Sequence, residues 1–85
     1  MVRAILYGTL GCHLCDEAEA LLAPLLTSVS AATGIDCEIE CVDISEEDAL
    51  VARYGDGIPV LRRFSVGVEL NWPFDARQAQ LLLLG

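Results

Sequence analysis

The hydrophobic and polar positions alternate between strand-like and helix-like periods along the whole chain. Val2 to Tyr7 is a short apolar run, broken only by Arg3 and ending at Gly8, which is the pattern of a buried central strand. Thr9-Leu10-Gly11-Cys12 reads as a loop. A helical period begins at His13 and puts Leu14, Ala18, Leu21, Leu22, Leu25 and Val29 along one face. Asp16, Glu17 and Glu19 load its first turns with negative charge, which complements the positive end of the helix dipole. Pro24 lies inside this pattern and removes one backbone hydrogen bond, so a kink or an early end is expected there. Gly34 suits the residue just past the helix end.

Beyond Gly34 the period becomes two. Ile35, Cys37, Ile39 and Cys41 fall on one face and Asp36, Glu38 and Glu40 on the other, which predicts a half-buried strand from Ile35 to Ile44. Its charges suit a sheet edge, where they deter pairing with another chain. Ser45 is the expected N-cap of a second helix, with Glu46, Glu47 and Asp48 as a solvated first turn and Gly55 as its end. Asp56-Gly57 reads as a turn and Ile58-Pro59-Val60-Leu61 as the start of a third strand, the one strand position that tolerates proline. A fourth strand starts at Val66 or Val68 and runs to Leu70, with the hairpin turn near Ser65 to Gly67. After the loop Asn71-Trp72-Pro73-Phe74, Asp75 caps a last helix through Leu84, with Gln78 placed to complete a capping box. The order is β-α-β-α-β-β-α. A strand–helix–strand unit makes a right-handed parallel crossover, and the last two strands are close enough for an antiparallel hairpin. The predicted fold class is α/β, a four-stranded mixed sheet with helices on both faces.

Composition narrows the function. Eighty-five residues suit one domain, 1–85, with a modest core. A hydrophobic fraction of 54% is too high for a disordered segment. Five arginines and no lysine against thirteen acids give a formal net charge of −8. That balance disfavours nucleic acid, which needs a basic face, and anionic membrane surfaces. Apolar stretches such as Ala20 to Leu26 fall short of the ~20 residues of a membrane span. The N-terminal apolar run is too short for a secretory signal, so a cytoplasmic location is expected. A monomer is expected from the charge and the lack of a heptad.

Four cysteines in so short a chain need an explanation. A disulfide framework is disfavoured, because the apolar content can build a core without staples and no export signal is read. Cys12-His13-Leu14-Cys15 is the strongest signal. Cys12 falls at the junction of loop and helix, where its sulfur meets the unsatisfied N–H groups of the first turn. Those donors and the dipole favour the thiolate, which is the nucleophile. Cys15 lies one turn on, at a spacing that permits a disulfide. Against this stands the plain reading of two core or metal-bound cysteines. His13, if protonated, favours a neighbouring thiolate, while Asp16 and Glu17 act in the opposite sense. Cys37 and Cys41 lie about 13 Å apart on one strand. That exceeds the ~7 Å Cα separation of a disulfide, so they read as small side chains buried under a helix. Trp72 and Phe74 read as core packing in preference to a recognition patch. Pro59 opens the third strand close to the Cys12 loop, and a cis Ile58–Pro59 bond there would turn the Ile58 backbone toward a docking partner.

Together these residues resemble the thioredoxin superfamily and, within it, the small glutaredoxin-like proteins. The resemblance spans nearly the whole chain. It rests on the strand–Cys12-His13-Leu14-Cys15–helix unit, on Ile58-Pro59-Val60-Leu61, and on Glu69-Leu70-Asn71-Trp72-Pro73-Phe74-Asp75, which is similar to the ending of a small bacterial glutaredoxin-like subgroup. It implies a thioredoxin-like fold, Cys12 as nucleophile, Cys15 as resolving cysteine, and a cis Pro59 that contacts substrate together with Ile58 and His13. The chain departs from dithiol glutaredoxins in its central His-Leu pair and in Thr9, where a basic residue is usual. It departs again in Asn71-Trp72-Pro73-Phe74, which replaces the glycines that hold glutathione.

The function read from this is a thiol–disulfide oxidoreductase acting on a disulfide-containing protein and recycled by glutathione or by a separate reductase. No cofactor is required, no metal site is assigned, and the departures weigh against glutathione. The alternatives are a glutaredoxin-like module that holds an iron–sulfur cluster or another metal, and a redox-inactive thioredoxin-fold binding domain.

Overall fold

The computed structural model describes residues 2–55, 57–64 and 67–84. Four strands, β1 (Val2–Gly8), β2 (Cys37–Asp43), β3 (Val60–Arg63) and β4 (Glu69–Asn71), form one sheet in the order β2-β1-β3-β4. Three helices, α1 (His13–Thr33), α2 (Asp48–Tyr54) and α3 (Ala76–Leu84), interleave with them in the expected order. β1 pairs in parallel with β2, from Val2 opposite Cys37 to Gly8 opposite Asp43. On its other side β1 pairs antiparallel with β3, Tyr7 opposite Val60, and β3 pairs antiparallel with β4. The sheet is mixed, β1 is central and the acid-bearing β2 is an edge, as its charge pattern predicts.

Alternation along β1 divides the core. Ala4 and Leu6 face α1 and α3, where they join Ala18, Leu22, Leu61 and Leu83. Ile5 and Tyr7 face the opposite side and pack with Ile44, Leu50, Tyr54 and Val60. Helices therefore cover both faces, but unequally. The first face holds the long helix and the larger core, where burying each leucine contributes about 1.5–3 kcal/mol. The second is closed by a short helix and a tyrosine stack, Tyr7 on Tyr54 with ring centroids 4.4 Å apart. The Tyr54 hydroxyl donates to the Glu69 carboxylate, which Arg53 also approaches at 3.7 Å.

Several local expectations change. α1 runs on through Pro24 to Thr33. Pro24 is exposed and forfeits one hydrogen bond, while Leu22 and Leu25 on either side of it are anchored in the core. Gly34 ends the helix at φ +73, in the left-handed region, and donates to the Ser30 carbonyl. Leu14 does not join the buried face. Cys15 takes the inward position beside Ala18 and Leu22, and Leu14 points outward, 45% exposed. Ser45 is not the cap of α2. The Asp43 carboxylate accepts from both the amide and the hydroxyl of Ser45, which closes a 3-10 turn over Ile44–Glu46, and Glu47 precedes α2 without a side-chain cap. Burial of Ile44 holds that turn against the sheet. β2 is shorter than the period-two pattern, and β3 starts at Val60 rather than Ile58. β4 starts at Glu69. Asp56, Ser65 and Val66, which carry the two predicted turns, lie outside the described residues. The α3 capping box forms, with Asp75 accepting from the Gln78 amide at 2.7 Å and Gln78 accepting from the Asp75 amide at 2.9 Å. Trp72 and Phe74 meet edge-to-face and pack against the larger core. Two peptide bonds are cis: Ile58–Pro59, as expected, and Trp72–Pro73, which no sequence pattern announced.

Candidate active site

β1 ends at Gly8, and the loop Thr9–Cys12 turns the chain into α1. Gly11 makes this turn possible at φ +76, where a side chain would be strained. Cys12 remains extended, at φ −79 and ψ 108, and its side chain serves as the N-cap. Its Sγ accepts the Cys15 N–H at 3.1 Å, doing with sulfur what serine or aspartate usually does with oxygen. An amide donor and the positive end of a 21-residue helix both favour the charged form of a free thiol held at such a position.

Cys15, one turn along, is only 8% exposed, whereas Cys12 is partly open to solvent. The two are joined as a disulfide with Cα atoms 5.2 Å apart. The accessible sulfur is thus the one at the helix end, and its buried partner sits behind it. Gly8 makes room for that partner, because a Cβ on Gly8 would fall 2.8 Å from the Cys15 Sγ. The sequence reading took Gly8 only as the end of a strand and missed this role. Its visible signal was a glycine closing a buried strand just before the cysteine pair.

The remaining sequence-derived positions converge on the same end. Pro59 is fully buried beside Val60, which pairs with Tyr7, so the β1–β3 register brings it next to Gly8. Its carbonyl accepts from the Trp72 amide at 3.1 Å. Ile58 is half-buried against the smaller core. Among the described residues neither its N–H nor its carbonyl joins a backbone hydrogen bond. His13 is the first residue of α1 and is exposed next to Cys12.

Beside the disulfide lies a groove of about 280 Å³ whose lining includes Gly8, Leu10, Cys15, Glu19, Cys41 and Asp43. Cys41 departs from the expected burial under α1. It is exposed, and its thiol donates to the carboxylate of Glu19 on that helix at 2.9 Å. Desolvation in the groove, then the hydrogen bond to Glu19 and the Glu19 charge, push the Cys41 thiol up to about 11. Cys37 sits at the far end of β2 opposite Val2, half-buried, with its thiol raised mainly by burial. Cys37 and Cys41 are both free, as their separation requires. Asp43, at the foot of the groove, is held below the usual carboxylate range by the Ser45 hydroxyl and amide, with Thr9 and Leu10 adding to the effect. Among the described residues no three His, Cys, Asp or Glu side chains gather as a metal site, and no helix is long and apolar enough to cross a membrane.

Comparison with known proteins gives the family and the fold. Residues 3–83 match the family described as glutaredoxin-like domain (DUF836). The X-ray structure of protein XcR50 from X. campestris is 37% identical, with a TM-score of 0.72 over 92% of this chain and 91% of that one. The solution structure of XcR50 is 36% identical, with a TM-score of 0.66 over 95% and 90% of the two chains. The solution structure of protein Ne2328 from Nitrosomonas europaea is 28% identical, with a TM-score of 0.73 over 96% and 91%. No curated protein matches the chain. The fold is thioredoxin-like.

Proposed function

The chain belongs to the glutaredoxin-like domain family, and from that premise we propose that it is a thiol–disulfide oxidoreductase working through Cys12 and Cys15. The observation that carries the proposal is the Cys12 sulfur, partly exposed, capping α1 and bonded to the buried Cys15. In the reduced protein the Cys12 thiolate attacks one sulfur of a substrate disulfide. A Cys12–substrate S–S bond forms, the substrate S–S bond breaks, and the departing thiolate takes a proton. Cys15 then loses its proton and attacks the Cys12 sulfur. The Cys12–Cys15 bond forms, the second substrate thiolate leaves, and it too is protonated. Two electrons and two protons have passed from the dithiol to the substrate. An external thiol, either glutathione or the dithiol of a separate reductase, returns them.

The substrate class is a disulfide-containing protein, which the Ile58 backbone and His13 would meet beside Cys12. The chemistry needs no cofactor. Trp72 and Phe74 pack where glutaredoxins carry glycines, which favours a reductase over glutathione. We place the protein in a reducing compartment, the cytoplasm, acting as a monomer without nucleic acid or membrane, in keeping with its charge of −8.

The test is equilibration across a series of glutathione redox ratios, followed by thiol trapping and mapping by mass spectrometry. Cys12 and Cys15 should interconvert together between dithiol and disulfide while Cys37 and Cys41 stay reduced. Independent modification of all four would overturn the proposal.

A further inference from the structure

The rim of this site combines exposed apolar side chains with charge of one sign. Leu10, two residues before Cys12, is 90% exposed, and Leu14, two residues after it, is 45% exposed. A leucine costs apolar hydration when left in water, and two of them flank the attacking sulfur with no core to join. Around them stand Asp16, Glu17 and Glu19 on the first two turns of α1, with Asp43 at the end of β2. The arginines lie elsewhere. By strand register Arg62 and Arg63 lie opposite Ile5 and Ala4 and Arg3 lies further back still, although the Arg62 side chain reaches Tyr7. Arg53 is held by Glu69. Arg77, in the first turn of α3, is the exception, and His13 is the one basic side chain beside Cys12. Asp16, Glu17, Glu19 and Asp43 thus make this end negative, while Glu38 and Glu40 lie further back along β2, opposite Arg3 and Ile5.

We propose that this face selects protein disulfides whose cysteine lies in a cationic segment, with an apolar side chain next to it. The inference rests on the oxidoreductase reading and adds the substrate class. The leucines supply contact area, and the Ile58 backbone groups can pair with an extended strand. The carboxylates raise the local concentration of a positively charged partner and repel a negatively charged one. Glutathione disulfide, which is anionic, falls on the disfavoured side.

The test uses the fully reduced protein and three synthetic peptide disulfides that differ only in the residues flanking cysteine: lysines, serines or glutamates. Single-turnover rates are measured at low and high salt. Each is divided by the rate of the same peptide with dithiothreitol, which removes the intrinsic effect of flanking charge on the disulfide. The lysine peptide should react about tenfold faster than the glutamate peptide at low ionic strength. The advantage should shrink to about twofold at ~0.5 M salt. Asp16→Asn combined with Glu17→Gln should lower the lysine-to-glutamate ratio, and Leu10→Ser should slow the lysine peptide. Equal normalised rates for all three peptides, with the serine peptide still reduced, would overturn the selectivity and leave the oxidoreductase reading intact. If none of the three is reduced, the oxidoreductase reading fails and this inference fails with it.

Discussion

Cys12 and Cys41 reach the same end of the molecule from different elements, and their surroundings push them in opposite directions. Cys12 caps a long helix, and its sulfur faces an amide donor and the positive end of a dipole. Cys41 sits on an edge strand, and its sulfur faces a carboxylate. A donor favours the charged form of a thiol, whereas a carboxylate acceptor and desolvation favour the neutral form. The groove between them holds Cys15, so a free thiol stands beside a disulfide without being poised to attack it. The same side chain thus meets a donor at one place and, at the other, desolvation and the Glu19 carboxylate, which hold its thiol protonated.

Substitution provides the largest test of this contrast. Cys12→Ser should reduce disulfide exchange to background, whereas Cys41→Ser should change it by no more than about twofold, because only the thiolate attacks. Stopped-flow reduction of a small neutral disulfide reads both.

Alkylation of the reduced protein is the next test. With Cys41 held near pKa 11, its thiolate is scarce at neutral pH, and Cys12 should react with iodoacetamide at least about 100-fold faster at pH 7. Glu19→Ala removes the hydrogen bond and the charge but leaves the desolvation, so Cys41 should gain about tenfold and remain slower than Cys12. If Cys41 were the faster thiol in the unaltered protein, the contrast would be wrong.

Gly8→Ala tests the packing behind the pair. The new methyl meets the Cys15 sulfur at 2.8 Å, so the helix start or the strand must move. Overpacking of this kind should cost about 1–3 kcal/mol in urea denaturation. It should also slow the second, Cys15-dependent step more than the first.

The smallest effect is on stability against pH. The Cys41 thiol ionises near 9 in the unfolded chain and near 11 in the folded one. Its contribution to stability is therefore complete below pH 9 and is lost as pH rises from 9 to 11. Thermal melts of the reduced protein should fall more steeply across that window than those of Cys41→Ser.

The residues differ in how openly they announced these roles. The order of elements, the edge position of β2, the α3 capping box and the placement of Cys12 all follow from local patterns: period, punctuation and cap chemistry act over a few residues. Gly34 ends α1 as its pattern predicts, but Pro24 does not end it early, because proline acts locally while the buried leucines around it act through the core. The Ser45 cap was misjudged because two candidates compete within three residues. Asp43 wins because Ile44 must be buried, and burial is a tertiary fact. Leu14 and Cys15 both fit the helical stripe, and in the folded chain Cys15 turns inward over Gly8 while Leu14 points out.

The amino-acid sequence by itself determined the thioredoxin-like order of strands and helices, the dithiol motif at a strand-to-helix junction and the acidic balance of the chain. Each is written in neighbouring residues or in a sum over all of them. The tertiary structure alone decided that Gly8 lies under Cys15, that Pro59 reaches the same end of the sheet, that Cys41 hydrogen-bonds Glu19 across 22 positions, and that Arg53 reaches Glu69. Those relations join residues far apart in the chain, and they exist only once strand register and helix docking have set the distances.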